Sequence, residues 1–344
     1  MTQTMVSTSI HLRLSVGIDI GNQSYDASLG QEQADRGINL GKTQSFSNES
    51  HAYPELIRWV KSQGVSAKDC LFVMEATGVY YEGLALWLVE QGYEVSVLLP
   101  NTVVAFAKSW NQKSKNDQID AQTLARMGCE RKLIRWKPAP PAYKALKQMT
   151  RHRQKLTHQR TMLKNQLHAA KKEAPSSEAV ITSLKQMIDF FTQQIKDIEK
   201  GIQALMDENE QMKKDYDYIR SIPSIGPVAA ATILAETQGF YLFRNAKQLV
   251  SYAGYDVVQR QSGSSLNDLE KISKKGNGYI RRIMYMPSLT APKYIPDFQR
   301  LYQRINEKNP QTKMKGSVAL QRKLLVLAYH LVKKQETYDP KKHQ

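Results

Sequence analysis

The chain has 344 residues, 41% of them hydrophobic, which is enough for two domains with real cores and too apolar for a disordered protein. No run of about 18 apolar residues occurs, which excludes a transmembrane helix, and residues 1–10 lack the pattern of a secretory signal. Cys70 and Cys129 are the only cysteines, so neither a zinc site nor a disulfide framework is expected. These features predict a globular protein of a reducing cytoplasm with no membrane partner.

The formal net charge of +17 is distributed in blocks along the chain. Residues 1–100 have a net charge of −5, residues 101–173 of +13, residues 174–219 of −4 and residues 220–344 of +13. Strongly basic blocks beside acidic ones favour a polyanionic partner such as nucleic acid. A surface of solvated lysines is the alternative.

The first 130 residues predict an α/β domain. Hydrophobic patterning predicts strands at 12–20, 25–29, 43–47, 70–75 and 94–99, and helices at 52–63, 81–91, 102–109 and 117–128. Three strands followed by alternating helices and strands is the order of an RNase H-like sheet. In that order the strands of Asp19 and Glu75 are central neighbours, so their carboxylates emerge in one region of the sheet.

Four acidic residues accompany these elements. Asp19 lies in an apolar strand, Glu75 ends a second strand, and Asp117 and Asp120 share a face at the start of a helix. A buried carboxylate is costly unless it is paired or binds a cation, and Mg²⁺ prefers oxygen ligands. The set therefore predicts a metal-dependent nuclease site, in which two ions clamp the attacking and leaving oxygens of a phosphodiester. Taken singly, Asp19 also fits a strand-end turn and Asp117 a favourable charge at a helix N-terminus.

The segment 17–21 is also typical of the first phosphate loop of sugar kinases and actin-like ATPases. That fold needs a second, similar Asp-Gly loop and an adenosine pocket, and the sequence indicates neither. A nucleotide-binding, kinase-like fold is therefore a minor rival, and it predicts saturable ATP binding.

Pro138, Pro140 and Pro141 mark a linker, and residues 142–215 then predict a helical hairpin that turns at 174–177. The return helix repeats apolar residues in alternating steps of 4 and 3, which is typical of a coiled-coil seam: Leu184, Ile188, Phe191, Ile195, Ile198, Ile202 and Leu205. The seam packs on the first helix, on another protomer or on both.

The first helix of this hairpin is basic. Arg153 and Arg160 occupy the core positions between its apolar residues. Lys147 and Arg151 are candidates for contact with nucleic acid. For any single one of these residues, an ordinary solvated helix face is an equally good interpretation.

Residues 218–344 predict a mostly helical domain that begins with a helix-hairpin-helix turn. Gly226 in that turn is predicted to let the backbone turn tightly and expose amide N–H groups to a phosphate, although such turns also join plain helices. A later glycine-containing segment holds four candidate phosphate-binding cations: Lys274, Lys275, Arg281 and Arg282.

Ser262 lies in the small polar segment 261–265, which predicts a flexible loop. A serine in such a loop is most often a turn residue, and neither a histidine nor a lysine stands at a spacing that would activate it. A metal ion is able to do so by stabilising the alkoxide that attacks phosphorus.

Together these motifs resemble the DEDD-type transposases of insertion sequences, the bridge-RNA-guided serine recombinases that include the pilin-gene invertases. The matching stretches run through nearly the whole chain: 17–19, 75–80, 101–106, 115–121, 222–226, 252–254, 261–265 and 272–276. The combination in this order is specific, whereas each stretch alone is weak.

The resemblance implies a RuvC-like catalytic domain at 1–135, a coiled coil at 142–215 and a C-terminal transposase domain at 218–344. It assigns Mg²⁺ binding, with Mn²⁺ as a substitute, to four carboxylates: Asp19, Glu75, Asp117 and Asp120. It assigns the role of nucleophile to Ser262, the first serine of its loop.

The implied function is RNA-guided, site-specific recombination that moves an insertion element. DNA is cut through a serine–DNA phosphoester, and strands are exchanged via a Holliday junction. The implied partners are donor and target DNA, a structured bridge RNA and further copies of the chain, in dimers that assemble into a tetramer with composite active sites. The implied location is the prokaryotic cytoplasm, at the nucleoid.

Two further rivals rest on the residues alone. A RuvC-like junction-resolving endonuclease with metal-activated water predicts nicks with free ends and no dependence on a serine. A non-enzymatic scaffold predicts salt-sensitive nucleic-acid binding that survives the loss of any carboxylate.

Overall fold

The structure is a computed structural model, and it describes residues 12–76, 78–110, 116–241, 243–258, 261–262, 266–267 and 271–342. The chain divides into two compact units, residues 1–138 and 139–344, each with its own hydrophobic core. The boundary falls at the predicted proline-containing linker. The predicted coiled coil and C-terminal domain both belong to the second unit.

The first unit contains a mixed six-stranded sheet. Its strands are β1 (Leu14–Ile20), β2 (Ser24–Glu32), β3 (Ile38–Leu40), β4 (Gln44–Ser47), β5 (Cys70–Glu75) and β6 (Glu94–Leu98). Their order is β3-β2-β1-β5-β6, with β4 also paired to β2. Strand β2 is antiparallel to β1, whereas β5 is parallel to both β1 and β6. This is the predicted RNase H-like order, and it confirms that the strands of Asp19 and Glu75 are neighbours.

The helices of the first unit are α1 (Tyr53–Ser62), α2 (Tyr81–Glu90), α3 (Pro100–Ser109) and α4 (Asp117–Glu130). Strand β5 is buried along nearly its whole length, as expected of a parallel strand with a neighbour on each side. The sequence did not predict β3, because three half-exposed residues are too few to produce a recognisable alternation.

The second unit begins with the predicted helical hairpin. It consists of α5 (Pro141–Ala170) and α6 (Glu178–Asp207). The helices run antiparallel, since the Arg153 Nε donates to Glu199 at 2.6 Å and the Arg160 Nη1 donates to the Thr192 hydroxyl at 3.4 Å. The two arginines thus face α6, as predicted, and each has a polar partner there.

Further helices complete the second unit: α7 (Glu210–Arg220), α8 (Pro227–Thr237), α9 (Ala246–Ala253), α10 (Gly278–Ile283), α11 (Tyr285–Tyr294), α12 (Pro296–Lys308) and α13 (Met314–Lys334). Residues 229–237 of α8 are all buried, which places this helix at the centre of the core. Short strands pair antiparallel in this unit, β7 (Val257–Val258) with β10 (Lys271–Ile272) and β8 (Gln261–Ser262) with β9 (Leu266–Asn267). Across the described ranges, no helix is long and apolar enough to cross a membrane.

Candidate active site

Asp19 lies near the end of β1 and is the electrostatic centre of a group of carboxylates. Its pKa is raised to about 6, chiefly because burial penalises the charged form. The negative charges of Asp120, Asp117, Glu75 and Asp26 raise this pKa further, in decreasing order of effect. The structure therefore brings all four predicted carboxylates into one neighbourhood, although they come from three separate elements.

Strand pairing explains why Glu75 lies beside Asp19. Strands β1 and β5 are parallel, with Ile18 opposite Met74, so the next residue of each strand is an acid at the same end of the sheet. Glu75 is the last residue of β5. A single pairing register therefore places both carboxylates together.

The start of α4 provides Asp117 and Asp120. The Asn116 side-chain oxygen accepts a hydrogen bond from the Ile119 backbone N–H at 2.8 Å, which caps the helix immediately before Asp117. Both acids lie in the first turn, where the helix dipole favours negative charge. The stabilising helix-end charge considered for Asp117 is therefore compatible with a place in the carboxylate group.

Unusually close packing holds α4 against the sheet. A Cβ atom added to Gly17 would lie 2.1 Å from both the Ala121 carbonyl oxygen and the Ala125 backbone nitrogen. A Cβ atom added to Gly128 would lie 1.9 Å from the Ser15 hydroxyl oxygen. The helix backbone thus rests directly on β1, which brings Asp120 close to Asp19. The sequence did not predict this contact.

Asp26 is a fifth carboxylate that the sequence analysis missed. It lies directly opposite Asp19 in the antiparallel β1–β2 pair, and the Ser45 hydroxyl donates a hydrogen bond to it. The hairpin is closed by the Gly21 N–H, which donates to the Ser24 carbonyl at 2.9 Å. Correct placement of that turn in the sequence would have revealed the Asp19–Asp26 pairing, because the turn sets the register.

The carboxylates match a hard divalent cation in donor type, since all of them offer oxygen. In the described part of the chain, however, no three His, Cys, Asp or Glu side chains are arranged so that they hold an ion as they stand. The carboxylates therefore agree with a metal site in the ligand atoms that they offer and in their common location.

Ser262 belongs to the second unit. The structure places Gln261 and Ser262 in β8, with Ser262 paired to Leu266 of β9. For these two residues the predicted loop is therefore wrong, because backbone pairing forms a short strand. Residues 263–265 lie outside the described residues.

Arg151 has a partner that the sequence did not predict. Its guanidinium makes two hydrogen bonds to Glu236, at 2.7 and 3.0 Å, and it lies 4.3 Å from the centre of the Tyr279 ring. The Glu236 side chain is completely buried. Because a buried carboxylate needs a cation, Arg151 has a structural role, and its predicted contact with nucleic acid stays a prediction.

Two further candidates also have structural roles. The Arg281 Nη1 donates to the Ala253 carbonyl at 2.7 Å, so its guanidinium stabilises the chain reversal at Gly254. Gly226 immediately precedes α8 and has a φ of −77°, which any residue adopts, so the backbone there does not require a glycine, and the predicted contact with phosphate stays a prediction. Lys274, Lys275 and Arg282 are exposed, and Lys147 is half-buried, so their predicted contacts with nucleic acid stay predictions.

Comparison with known proteins identifies the family. Residues 16–174 match the DEDD transposase model, and residues 216–303 match the model described as the transposase IS116/IS110/IS902 family. The chain belongs to the DEDD transposases of insertion sequences. The first match includes all four predicted carboxylates, and the second includes Ser262.

Similar proteins extend over nearly the whole chain. The chain is 27% identical over 335 residues to the pilin gene-inverting protein of Moraxella bovis, which covers 96% of this chain and 98% of that protein. It is 22% identical over 307 residues to the transposase for insertion sequence element IS1111A of Coxiella burnetii, with 79% and 80% covered. A solved Aquifex aeolicus member of the Ppx/GppA family covers 96% of both chains at 10% identity, but its TM-score of 0.22 is too low to assign a fold. As a member of the transposase family, the chain is a DNA-processing enzyme.

Proposed function

We propose that this transposase is a site-specific recombinase whose Asp19, Glu75, Asp117 and Asp120 bind Mg²⁺, with Mn²⁺ as a substitute. The observation that supports this most directly is the pKa of Asp19, raised to about 6 by burial, by the three other carboxylates of this set and by Asp26. Bringing these acids together makes the charged form of Asp19 less stable than it would be with the other carboxylates far away. A divalent cation compensates for that cost.

When bound, the cation supplies the positive charge that phosphodiester exchange requires at the phosphate oxygens. The fold of the chain orients the carboxylates that would hold this cation. Strand pairing directs Asp19 and Glu75 to the same end of the sheet, and the capped α4 adds Asp117 and Asp120.

Ser262 is the proposed nucleophile. Its oxygen forms a bond to phosphorus as the bond between phosphorus and a DNA oxygen breaks, and the serine proton passes to water or to the leaving oxygen. The serine–DNA phosphoester keeps the energy of the original bond. A DNA hydroxyl then attacks it and releases the serine, so rejoining needs no ATP.

The remaining partners follow from the family resemblance and from the basic second unit. A bridge RNA pairs with donor and target DNA, which leaves the protein to bind backbones, and strands are exchanged through a Holliday junction. The α5–α6 hairpin forms a coiled coil that contributes to dimers and to a tetramer with composite active sites. The turn between α7 and α8 acts as a helix-hairpin-helix motif that contacts backbone phosphates. The protein acts at the nucleoid.

The metal role is tested by Asp19→Asn and Asp120→Asn. Each should lower divalent-dependent DNA cleavage by about 100-fold or more, because each removes an anionic ligand. Cleavage of a labelled element end is measured by gel electrophoresis across a Mg²⁺ titration. Asp69→Asn is the control, since Asp69 is exposed and precedes β5 at the opposite end of that strand from Glu75. Full activity in either site variant would remove that residue from the proposed site.

The serine role is tested by Ser262→Ala. This variant should form no covalent protein–DNA adduct and no recombinant product, while it binds DNA with wild-type affinity, because only the attacking oxygen is lost. Adducts are measured by denaturing gel after protease-free quenching, with the exposed Ser176→Ala as the control. Adducts that persist, or nicks with free ends in the variant, would contradict the nucleophile and favour the junction-resolving hydrolase.

A further inference from the structure

A groove of about 510 Å³ lies between α5 and α10, within the second unit. From α5 its lining includes Gln154, Lys155, His158 and Gln159, and from α10 it includes Tyr279 and Arg282. Lys155 and Arg282 are both exposed. The groove lies outside the carboxylate site, and the function proposed above assigns no role to its shape.

The groove is positively charged. Lys155 and Arg282 are cationic at neutral pH, and the residues that line the groove include no acid. Clefts lined by charge of one sign concentrate ions of the opposite sign. The electrostatics therefore favour an anionic ligand.

A buried network fixes both walls of the groove. Glu236 receives two hydrogen bonds from Arg151 of α5 and a third, at 2.6 Å, from the Asn277 side-chain amide. The Asn277 oxygen in turn accepts from the backbone N–H groups of Tyr279 and Ile280, at 2.9 and 3.2 Å, and so caps α10. The two helices are thereby joined through one buried carboxylate.

The same network positions the aromatic side chain in the groove. The Arg151 guanidinium lies 4.3 Å from the centre of the Tyr279 ring, and the side chain of Tyr279 is half-buried. A ring restrained in this way loses little conformational freedom when a ligand stacks on it. The groove is therefore organised before any ligand binds.

We propose that this groove binds an unpaired nucleotide of a single-stranded nucleic-acid segment. Lys155 and Arg282 contact its phosphates, Tyr279 contacts the base, and the Gln159 amide offers both a donor and an acceptor to the base edge. The volume lies in the range of about 300–1,000 Å³ that is typical of small-ligand sites. The inference rests on the proposed function only for the presence of nucleic acid, and it adds the ligand form and the residues.

The charge contribution is tested with Lys155→Gln/Arg282→Gln. Binding of short labelled single-stranded DNA and RNA oligonucleotides to the full chain is measured by fluorescence anisotropy in EDTA, over a series of salt concentrations. The affinity should fall by about tenfold or more, and the slope of log K against log salt should become shallower by about 0.7 for each phosphate that the protein no longer neutralises. Lys185→Gln/Arg322→Gln is the matched control, because both residues are exposed, lie in the same unit and remove the same charge.

The stacking contribution is tested with Tyr279→Leu and Tyr279→Phe. The leucine variant should bind single strands about 5- to 150-fold more weakly, whereas the phenylalanine variant keeps a ring and should bind like the wild type. Affinity for a blunt duplex should change little in either variant, because its bases are already stacked. Thermal unfolding measures whether each variant is folded.

Equal losses of single-strand affinity in the Lys155→Gln/Arg282→Gln variant and in its control pair would overturn the inference. Wild-type affinity in a folded Tyr279→Leu variant would also overturn it. If Tyr279→Leu is unfolded, the charge pairs decide. The arm with the larger loss identifies RNA or DNA as the ligand. Binding measured in EDTA is independent of metal chemistry. A groove that binds no single strand, in a protein that still recombines, would refute the groove alone. Single-strand binding by a protein that does not recombine would refute only the proposed function.

Discussion

At Asp19, burial and repulsion by neighbouring carboxylates change the pKa in the same direction. Both raise its pKa, so in the absence of a cation the site takes up a proton more readily than an exposed aspartate. Metal binding at such a site should release that proton, so metal and proton compete. The acids identified from sequence thus acquire a measurable property that the sequence did not predict.

The pKa of Asp19 gives a prediction about stability. Its value of about 6 in the folded protein exceeds the ordinary value of 3.8, so between these values the native state binds more protons than the unfolded state. The contribution of Asp19 to the free energy of unfolding therefore decreases as pH rises from about 4 to about 6, and it stays low above that range. In EDTA, Asp19→Asn should gain stability over the wild type across this window.

The gain should reach about 1–2 kcal/mol above pH ~6, a value already reduced because the side chain is partly accessible to solvent. Urea unfolding at a series of pH values measures the difference between the two proteins. Asp69→Asn should show no such increase, since Asp69 is exposed. A difference between Asp19→Asn and wild type that is independent of pH would contradict the assignment.

At the scale of elements, the contact between β1 and α4 determines whether the carboxylates meet. The strand provides Asp19 and the helix provides Asp120, and Gly17 allows the two backbones to touch. The sequence predicted both elements, with bounds within a few residues of those observed. It gave no sign that they pack without intervening side chains, because Gly17 contacts residues more than a hundred positions away.

Gly17→Ala should push α4 away from the sheet. The added methyl group would lie 2.1 Å from backbone atoms, which are unable to rotate away, so we expect a loss of stability of about 1–3 kcal/mol or more. Cleavage should fall as well, because Asp120 moves with the helix. Urea unfolding and the cleavage assay measure the two effects.

Gly41→Ala is the matched control in the same unit, because the nearest atom to its added Cβ lies at an ordinary 3.4 Å. It should change the unfolding free energy by no more than about 0.5 kcal/mol. A Gly17→Ala protein as stable and as active as Gly41→Ala would show that the close packing of α4 on β1 is not required.

At the scale of the whole molecule, charge is divided between the two units. Residues 1–138 contain 14 basic and 14 acidic side chains, whereas residues 139–344 contain 35 and 18, so the entire net charge of +17 belongs to the second unit. The sequence blocks indicated a polyanionic partner but not this division, because the boundary at 138 separates the basic block 101–173 into two parts. Binding to backbone phosphates is therefore expected mainly from the second unit.

This division predicts how isolated fragments behave. A fragment of residues 139–344 should fold, since its core is formed by its own helices, and it should bind DNA with an affinity that falls steeply with salt. A fragment of residues 1–138 should bind weakly in EDTA, because its net charge is zero and its site is acidic. Anisotropy titrations at several salt concentrations measure both, and equal affinities would contradict the division.

Local patterning was sufficient to identify the strands and helices of the first unit except β3, the neighbouring positions of Asp19 and Glu75 and the acids at the start of α4. Periodicity, capping residues and strand order are properties of short segments, which is why these features are legible in one dimension. Asp26, the Gly17 contact and the Arg151–Glu236 pair emerged only from three-dimensional packing. Each depends on a register or on a partner distant in the chain, and the residue types alone do not reveal which groups burial brings together.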